Sequence, residues 1–136
     1  MKQIKQNKND IHSLALSLVY DDKKAKKLTK KTFKKVSKRL FSDERQLKLA
    51  LYKRLLKYVG RFSVKKKKCL GSDFICLAKK NFKIFDKKVF VLKYEHGFNI
   101  EDISEVLNAK ESEIKKSLFY TTEKIAAVLE EKNEMP

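Results

Sequence analysis

The sequence predicts an all-α protein, and two observations support this fold class. The 136 residues include one Pro and three Gly, whereas Leu, Lys, Ile and Glu, which favour or tolerate helices well, are abundant. Apolar residues recur at intervals of three and four along most of the chain, which places them on one face of a helix. The length is sufficient for one domain or for two very small ones.

The first half of the chain is expected to form three helices. The first nine residues are polar and are expected to fray. Asp10 is the expected cap of the first helix, Asp22 that of the second, and Ser42 or Asp43 that of the third. Each helix has an apolar face, and the expected inward residues in the three helices are Ile11, Leu14, Ala15, Leu18 and Val19; Ala25, Leu28, Thr32, Val36 and Leu40, with Phe33 beside them; and Leu47, Leu51, Leu55, Tyr58, Val59 and Phe62.

The third helix is apolar on more than one face. Leu49, Tyr52 and Leu56 point away from the main apolar stripe. They either pack on the lysine-rich second helix or are covered by a partner.

Four consecutive lysines, residues 65–68, are followed by Gly71-Ser72 and predict a short basic linker over residues 65–77. A solvated run of charges is the alternative interpretation. The linker divides the chain into two small helical domains, residues 1–64 and residues 78–136. A short helix is also expected at residues 74–82, followed by an apolar helical stripe from Asp86 to Tyr94.

The second half has the layout of a helix-turn-helix. A short helical pattern from Ile100 to Leu107 is followed by the polar break Asn108-Ala109-Lys110 and a longer helical pattern from Ser112. Asn99 and Ser112 are the expected caps of the two helices, and Asn108 tolerates the left-handed conformation of a tight turn. A short helix, a tight turn and a longer helix are typical of proteins that read DNA.

The outer side of the longer helix carries the candidate DNA-binding residues. Ile114, Leu118, Thr121, Ile125 and Val128 are expected to face inward. The candidate contacts to DNA are then Lys110, Ser112, Glu113, Lys115, Lys116, Phe119 and Tyr120. Lysines reach phosphates or guanine edges, and an aromatic ring can contact a thymine methyl group. A plain helical hairpin with solvated charges is the alternative.

The net charge of +17 is unevenly distributed along the chain. Residues 1–64 hold 19 Lys/Arg and 5 Asp/Glu, residues 65–82 hold 6 and 1, and residues 83–136 hold 9 and 11. The basic character therefore belongs to the first 82 residues and indicates a polyanionic partner. A proteome that uses Lys for solubility is the simpler explanation. The slightly acidic second half is expected to bind DNA weakly on its own.

Catalysis, metal binding and membrane insertion are not expected. Cys69 and Cys76 fit neither a CxxC motif nor a zinc site with the distant His12 and His96, so reduced thiols in a cytoplasmic protein are expected. There is no Gly-rich phosphate loop and no apolar run near the length that spans a bilayer. We therefore expect no enzymatic activity, no catalytic residue, no cofactor and no metal.

Five short segments of the second half follow one another in a characteristic order. They are Val89-Phe90-Val91-Leu92, Tyr94 to Gly97, Glu101-Asp102-Ile103, Asn108-Ala109-Lys110 and Ile114-Lys115. This order of an apolar strip, a Tyr-x-x-Gly turn, an acidic pair, a small turn and a basic helix resembles region 4 of small group IV (extracytoplasmic-function type) sigma factors of bacterial RNA polymerase.

The first half is similar to region 2 of the same family. The matching positions are Ala25, Leu28, Phe33, Leu51, Tyr52 and Lys53. The sequence departs from the family where two acids and a Gln are replaced by Lys26, Lys27 and Lys30, where a Trp is replaced by Ala50, and where an Asn and an Asp are replaced by Lys57 and Arg61.

The resemblance implies a function for each half. The region-2-like half would dock on core polymerase through Lys26, Lys27, Lys30 and Phe33. It would hold the unpaired promoter strand through Tyr52, Lys53, Lys57 and Arg61. The region-4-like half would place its outer helix in the major groove of the upstream promoter element.

The expected function is that of a sigma-factor-like initiation protein with core RNA polymerase and promoter DNA as partners. An anti-sigma protein or a second sigma-like subunit is a further expected partner, and no membrane is involved. Two alternatives remain open. One is a sigma-like polymerase-binding regulator that needs a second subunit or lacks promoter recognition. The other is a basic nucleic-acid-binding protein that acts independently of polymerase.

Overall fold

The computed structural model describes the backbone of residues 2–59 and 82–134, and the side chains of residues 6–59 and 82–130. The expected linker at 65–77, the expected helix at 74–82 apart from Phe82, both cysteines, Arg61 and Phe62 lie outside the described residues.

The described residues are organised almost entirely as helices, which confirms the all-α fold class. In chain order the helices are α1 (Lys2–Val19), α2 (Asp22–Val36), α3 (Glu44–Val59), α4 (Ile84–Phe90), α5 (Ile100–Leu107) and α6 (Glu111–Glu134). A π-helical segment, Val91–Glu95, continues α4.

The first helix is longer than the sequence predicts. It begins at Lys2 rather than at Asp10, so the expectation that the first nine residues fray is wrong for the described part of that segment. Lys and Gln are good helix formers, and Gln6 donates a side-chain hydrogen bond to Asp10 one turn later, at 3.0 Å. Local propensity therefore extends α1 by two turns beyond its apolar stripe.

The caps of α2 and α3 are side chains of aspartate. Asp21, not Asp22, caps α2 and accepts a hydrogen bond from the backbone N–H of Lys24 at 3.2 Å. Asp43 accepts one from the backbone N–H of Gln46 at 2.8 Å, which confirms the expected cap of α3. A cap accepts a hydrogen bond from the backbone N–H two or three positions later. Either of two adjacent aspartates can therefore cap the helix, which is why the prediction is off by one residue.

Helices α1, α2 and α3 enclose the larger part of the core. The predicted inward faces of α1 and α2 are buried, except that Phe33 is half-buried and Leu40 is fully exposed after the end of α2. Two polar side chains are also buried in α2. The hydroxyls of Thr29 and Thr32 donate to the carbonyls of Ala25 and Leu28, each at 2.7 Å, which satisfies them within the helix.

The second stripe of α3 packs inside the protein. Leu49, Tyr52 and Leu56 are buried in a core that continues without a break into the second half, through Val89, Leu92, Phe98, Ile103 and Ile114. The second half of the chain therefore covers part of this stripe. The two halves therefore pack against each other, while the domain boundaries at residues 64 and 78 remain a prediction.

The segment from α5 to the start of α6 has the predicted turn chemistry at Asn99 and Asn108. Asn99 caps α5 by accepting a hydrogen bond from the backbone N–H of Asp102 at 2.8 Å. Asn108 adopts the left-handed conformation, with φ 52° and ψ 48°. The Ser104 hydroxyl donates to the carbonyl of Ala109 and ties the turn back to α5.

The predicted cap of α6 is wrong by two positions. Ser112 lies inside the first turn of the helix. The backbone carbonyl of Lys110 accepts from the N–H groups of Glu113 and Ile114, at 3.0 and 3.1 Å, so α6 starts from a backbone bond.

The left-handed turn residue yields a stability prediction. Asn108→Gly should leave the free energy of unfolding unchanged or slightly raised, because glycine adopts this conformation without steric cost. Asn108→Val should lower it by about 1–2 kcal/mol, because a Cβ opposes left-handed backbone and a β-branched one does so most. Urea unfolding of the parent and both variants measures this, and a valine variant as stable as the parent would contradict it.

Candidate nucleic-acid interface

The outer face of α6 is exposed as predicted. Ser112, Glu113, Lys115, Lys116, Phe119 and Tyr120 are all exposed, and Lys110 is exposed in the preceding turn. Phe119 is 67% exposed. The face has the chemistry for phosphate contacts through its lysines and for apolar contact through Phe119.

Helix α6 is held in place by a polar contact that the sequence reasoning missed. Ser117 is buried, and its hydroxyl donates to Asp86 of α4 at 2.7 Å. Ser117 lies on the inward side beside Ile114 and Thr121. Helical spacing alone could have placed it there, but its partner is 31 residues away in sequence.

A small aromatic cluster supports the same end of the protein. Phe82 and Phe90 are buried together with ring centroids 6.0 Å apart, and Ile125 and Val128 of α6 pack against them. Tyr120 lies beside Phe82, with ring centroids 6.4 Å apart. Tyr120 is therefore partly engaged by the fold, whereas Phe119 is more fully exposed.

A basic cleft lies between α3 and α5. It has a volume of about 430 Å³ and includes the predicted Lys53 and Lys57, both exposed. It also includes Arg39 and Arg54, which the sequence reasoning did not single out. Arg54 follows Lys53 directly, so charge spacing on α3 could have identified it. Arg61, the last predicted member, lies outside the described residues.

One acidic side chain lines the basic cleft. Glu105 of α5 contributes to the wall opposite the cations, together with Val106. The cleft therefore lies at the contact between the two halves and is bounded by both.

Tyr52 is not accessible in this conformation. Its side chain is 1% exposed, and its ring packs against Phe98, with centroids 4.6 Å apart. Its hydroxyl lies 2.8 Å from Nδ1 of His96. Base stacking by Tyr52 would therefore require α3 to separate from the segment that contains His96 and Phe98.

Burial shifts the pKa values of the Tyr52–His96 pair in opposite directions. Burial, and secondarily the charge of Asp10, raises the pKa of the Tyr52 hydroxyl. Burial lowers the pKa of His96, which is opposed by Glu95 and Asp10 and reinforced by Lys48. Both side chains are consequently neutral at neutral pH, which suits a hydrogen bond in a core.

Polar contacts around the core also connect the two halves. Arg45 of α3 pairs with Asp102 and lies 3.6 Å from Glu105. The ammonium of Lys88 donates to the backbone carbonyl of Leu56 at 2.9 Å, and burial lowers the pKa of Lys88. The Ser17 hydroxyl donates to Glu95 at 2.9 Å.

The residues expected to contact polymerase lie together on α2. Lys26, Lys27 and Lys30 are exposed, and Phe33 is half-buried against the core. Lys26 pairs with Asp22 at 3.1 Å, and this hydrogen bond is the main reason that the pKa of Asp22 is lowered. The surface is strongly positive, with Phe33 at its edge as an apolar contact.

Two features are absent within the described ranges 2–59 and 82–134. None of these helices combines the length and apolar character needed to cross a bilayer. No group of three or more His, Cys, Asp or Glu side chains there is arranged to hold a metal ion.

Comparison with solved structures shows a likeness of fold. No protein-family model and no curated protein matches the chain. Among solved structures, the chain is similar to the sigma factor RpoE in complex with the anti-sigma factor NepR from Bartonella quintana, with a TM-score of 0.69 and 16% sequence identity. The match covers 96% of this chain and 98% of that chain. The fold is sigma-factor-like. At this identity the likeness concerns the fold alone.

The buried His96 predicts a pH-dependent stability. An unfolded histidine has a pKa near about 6.5, and burial lowers the pKa of His96 in the folded state. Its contribution is therefore complete above about pH 6.5 and is lost as the pH falls through the lower folded value. Thermal melts over this range should show a falling midpoint for the parent.

The matched variants isolate the contribution of His96. His96→Gln should show a flatter dependence than the parent, because the titrating group is gone. His12→Gln removes the other histidine and should retain the dependence that arises from His96. If His96→Gln follows the parent's pH profile, the assignment to His96 is wrong.

Proposed function

We propose that the protein is a sigma-factor-like transcription initiation protein that binds core RNA polymerase and directs it to promoter DNA. The observation that carries this proposal is the fold likeness to a sigma factor over nearly the whole length of both chains. A shared helix-turn-helix alone would be weak support, since that motif serves many functions. Here both halves, in the same order, belong to the shared fold.

Helix α6 would read the upstream promoter element. Lys115 and Lys116 would contact phosphates or guanine edges, and Phe119 a thymine methyl group. Lys110, Ser112, Glu113 and Tyr120 would lie at the rim of this contact. Because residues 83–136 carry more acidic than basic side chains, α6 would position the complex while another surface supplies most of the phosphate neutralisation.

The basic cleft would hold the unpaired promoter strand. Lys53 and Lys57 are exposed and would follow the backbone, with Arg61 beyond them. Tyr52 would stack on a base only after the two halves have separated, because its ring is now covered by His96 and Phe98. Stacking on an aromatic ring is the usual way in which single strands are held.

Polymerase docking would use Lys26, Lys27, Lys30 and Phe33 on α2. Lys26 and Lys27 reverse the charge expected of the family at these positions, so the docking contact on polymerase would be acidic or would depend on Phe33 and its neighbours. The polymerase would supply all the chemistry, and this chain would need no catalytic group.

An anti-sigma protein is a further proposed partner. The similar sigma factor was solved in complex with the anti-sigma factor NepR. This regulatory partner is proposed from the likeness of the folds.

A polymerase-binding regulator without promoter recognition is the second candidate. The burial of Tyr52 favours it, because a chain that stayed in this conformation would bind polymerase without holding an unpaired base. Strong binding to core polymerase with no DNA footprint would select this candidate over the first.

Co-purification followed by transcription tests the proposal. The tagged full-length protein, expressed in its native cell, should co-purify with the polymerase core subunits. Purified core polymerase plus this protein should then yield transcripts from specific genomic fragments. Absence of both the complex and the transcripts would exclude both sigma-like candidates.

Paired substitutions separate promoter reading from docking. Lys115→Ala with Lys116→Ala should reduce promoter-dependent transcription at least about ten-fold, since each good base contact contributes about 1–3 kcal/mol. Core polymerase binding should not change. The control, Lys83→Ala with Lys93→Ala, removes the same charge elsewhere in the second half. Equal losses in both double variants would show that α6 does not read the promoter.

A further inference from the structure

The exposed surface of α2 consists almost entirely of lysine. After the first residue, Asp22, every exposed position of the helix is a lysine, namely Lys23, Lys24, Lys26, Lys27, Lys30, Lys31, Lys34 and Lys35. Lys38 and Arg39 extend the same charge beyond the end of the helix. Lysines three and four positions apart are neighbours and repel one another, so this surface destabilises its own helix unless an anion lies against it.

Few of these charges have a partner in the described part of the chain. Lys26 pairs with Asp22, and Lys31 lies over the Tyr58 ring, 4.4 Å from its centroid. The others make no ion pair with a described carboxylate. The uncompensated charge is therefore available to a ligand in solvent.

Helical geometry separates this surface into two sides. At about 100° per residue, Lys26, Lys30 and Phe33 lie on one side, with Asp22. Lys24, Lys31 and Lys35 lie on the other, with Lys23, Lys27 and Lys34 between the two. We name Lys24, Lys31, Lys34, Lys35 and Lys38 the lysine stripe.

The lysine stripe is continuous with the basic cleft. Tyr58 of α3 lies under both Lys31 and Arg54, whose guanidinium carbon is 5.9 Å from the ring centroid. Arg54 and Arg39 line the cleft. A single positive surface therefore runs from α2 across Tyr58 to α3.

We propose that the lysine stripe binds the phosphate backbone of double-stranded nucleic acid. From Lys24 to Lys35 the stripe extends about 16 Å, at 1.5 Å per residue. A DNA duplex presents one phosphate charge per about 1.7 Å of its axis, so a duplex lying along α2 supplies several phosphates within reach. The proposal goes beyond promoter reading by α6 and requires no polymerase.

The composition of the stripe favours phosphates over an acidic protein. Protein interfaces depend on apolar and aromatic anchors and are depleted in lysine. The exposed positions of the stripe carry no apolar side chain. Phosphate contacts, in contrast, need point charges on flexible side chains and carry no sequence information.

The same composition favours a duplex over a single strand. Proteins that hold single strands combine positive charge with exposed aromatic rings on which bases stack. The ring in contact with the stripe is that of Tyr58, which is buried and lies beneath Lys31 and Arg54. A straight row of lysines suits the regular backbone of a duplex.

Fluorescence anisotropy with the full-length protein tests the proposal. The probes are a labelled DNA duplex of about 20 base pairs, longer than the stripe at about 3.4 Å per pair, an RNA duplex of the same length, one unpaired strand of each, and a poly-glutamate peptide of similar charge. Duplex binding should be tightest and should weaken steeply with added KCl. Binding to either duplex sustains the proposal, and the duplex that binds more tightly identifies whether the ligand is DNA or RNA.

Matched triple variants assign the binding to the stripe. Lys24→Gln, Lys34→Gln and Lys35→Gln together should weaken duplex binding at least about ten-fold, and should lower the salt slope by about 0.9 for each lost phosphate contact. The control Lys8→Gln, Lys83→Gln and Lys93→Gln loses the same charge elsewhere and should change affinity less than about three-fold. Lys→Arg at the three stripe positions should restore binding. Gln favours helix, and circular dichroism checks the fold of each variant.

Three results would overturn the proposal. The control variant could lose as much affinity as the stripe variant, which would indicate an effect of net charge only. The unpaired strand or the peptide could bind more tightly than either duplex. The stripe variant could bind the duplex as well as the parent. The stripe substitutions leave Lys26, Lys27 and Lys30 intact, so a loss of polymerase binding is measured separately from a loss of duplex binding.

Discussion

The arrangement of the protein depends on α3, which is buried between the other helices of the first half and the second half of the chain. A three-helix unit of this size would bury one face of its last helix and expose the other. In α3 residues of both stripes are buried, and Tyr52, on the second stripe, is 1% exposed. Full burial of such a side chain contributes on the order of 2–3 kcal/mol. The second half completes the core of the first, which small helical units rarely complete alone.

The proposed nucleic-acid contacts of α3 fall into two classes. Lys53 and Lys57 are exposed while the halves are packed, so phosphate contacts are available in the present conformation. The ring of Tyr52 is not available, because His96 and Phe98 cover it. A ligand shifts a conformational equilibrium only by its difference in affinity for the two states. A partner that binds the inner surface of α3 would therefore favour separation of the halves.

Local chemistry was predicted better than contacts between distant residues. The caps at Asp43 and Asn99 and the left-handed Asn108 follow from side chains that act within three positions, and the structure contains all three. The wrong caps Asp22 and Ser112 are errors of one or two positions where neighbouring groups serve equally well, whereas α1 begins at Lys2, a full two turns before its expected cap, Asp10. The second stripe of α3 was recognised, but periodicity could not identify its covering surface. His96 looked isolated because its partner, Tyr52, is 44 residues away in sequence.

The excess of acidic residues in the second half weakens its binding to DNA, and some of these residues also have a structural role. In the packed conformation, Asp102 and Glu105 of α5 lie against the basic α3, where they pair with Arg45.

Glu105 also lines the cleft with four cationic side chains, Arg39, Lys53, Arg54 and Lys57. The negative charge of Glu105 therefore lies close to the position that a bound phosphate would occupy. A nucleic-acid strand that enters the cleft meets this carboxylate, and like charges in one site disfavour joint occupancy. Since these pairs are exposed, salt weakens both the contact between the halves and the binding of phosphate. In the cleft, Glu105 and a bound phosphate would therefore compete for the positive field of the same cations.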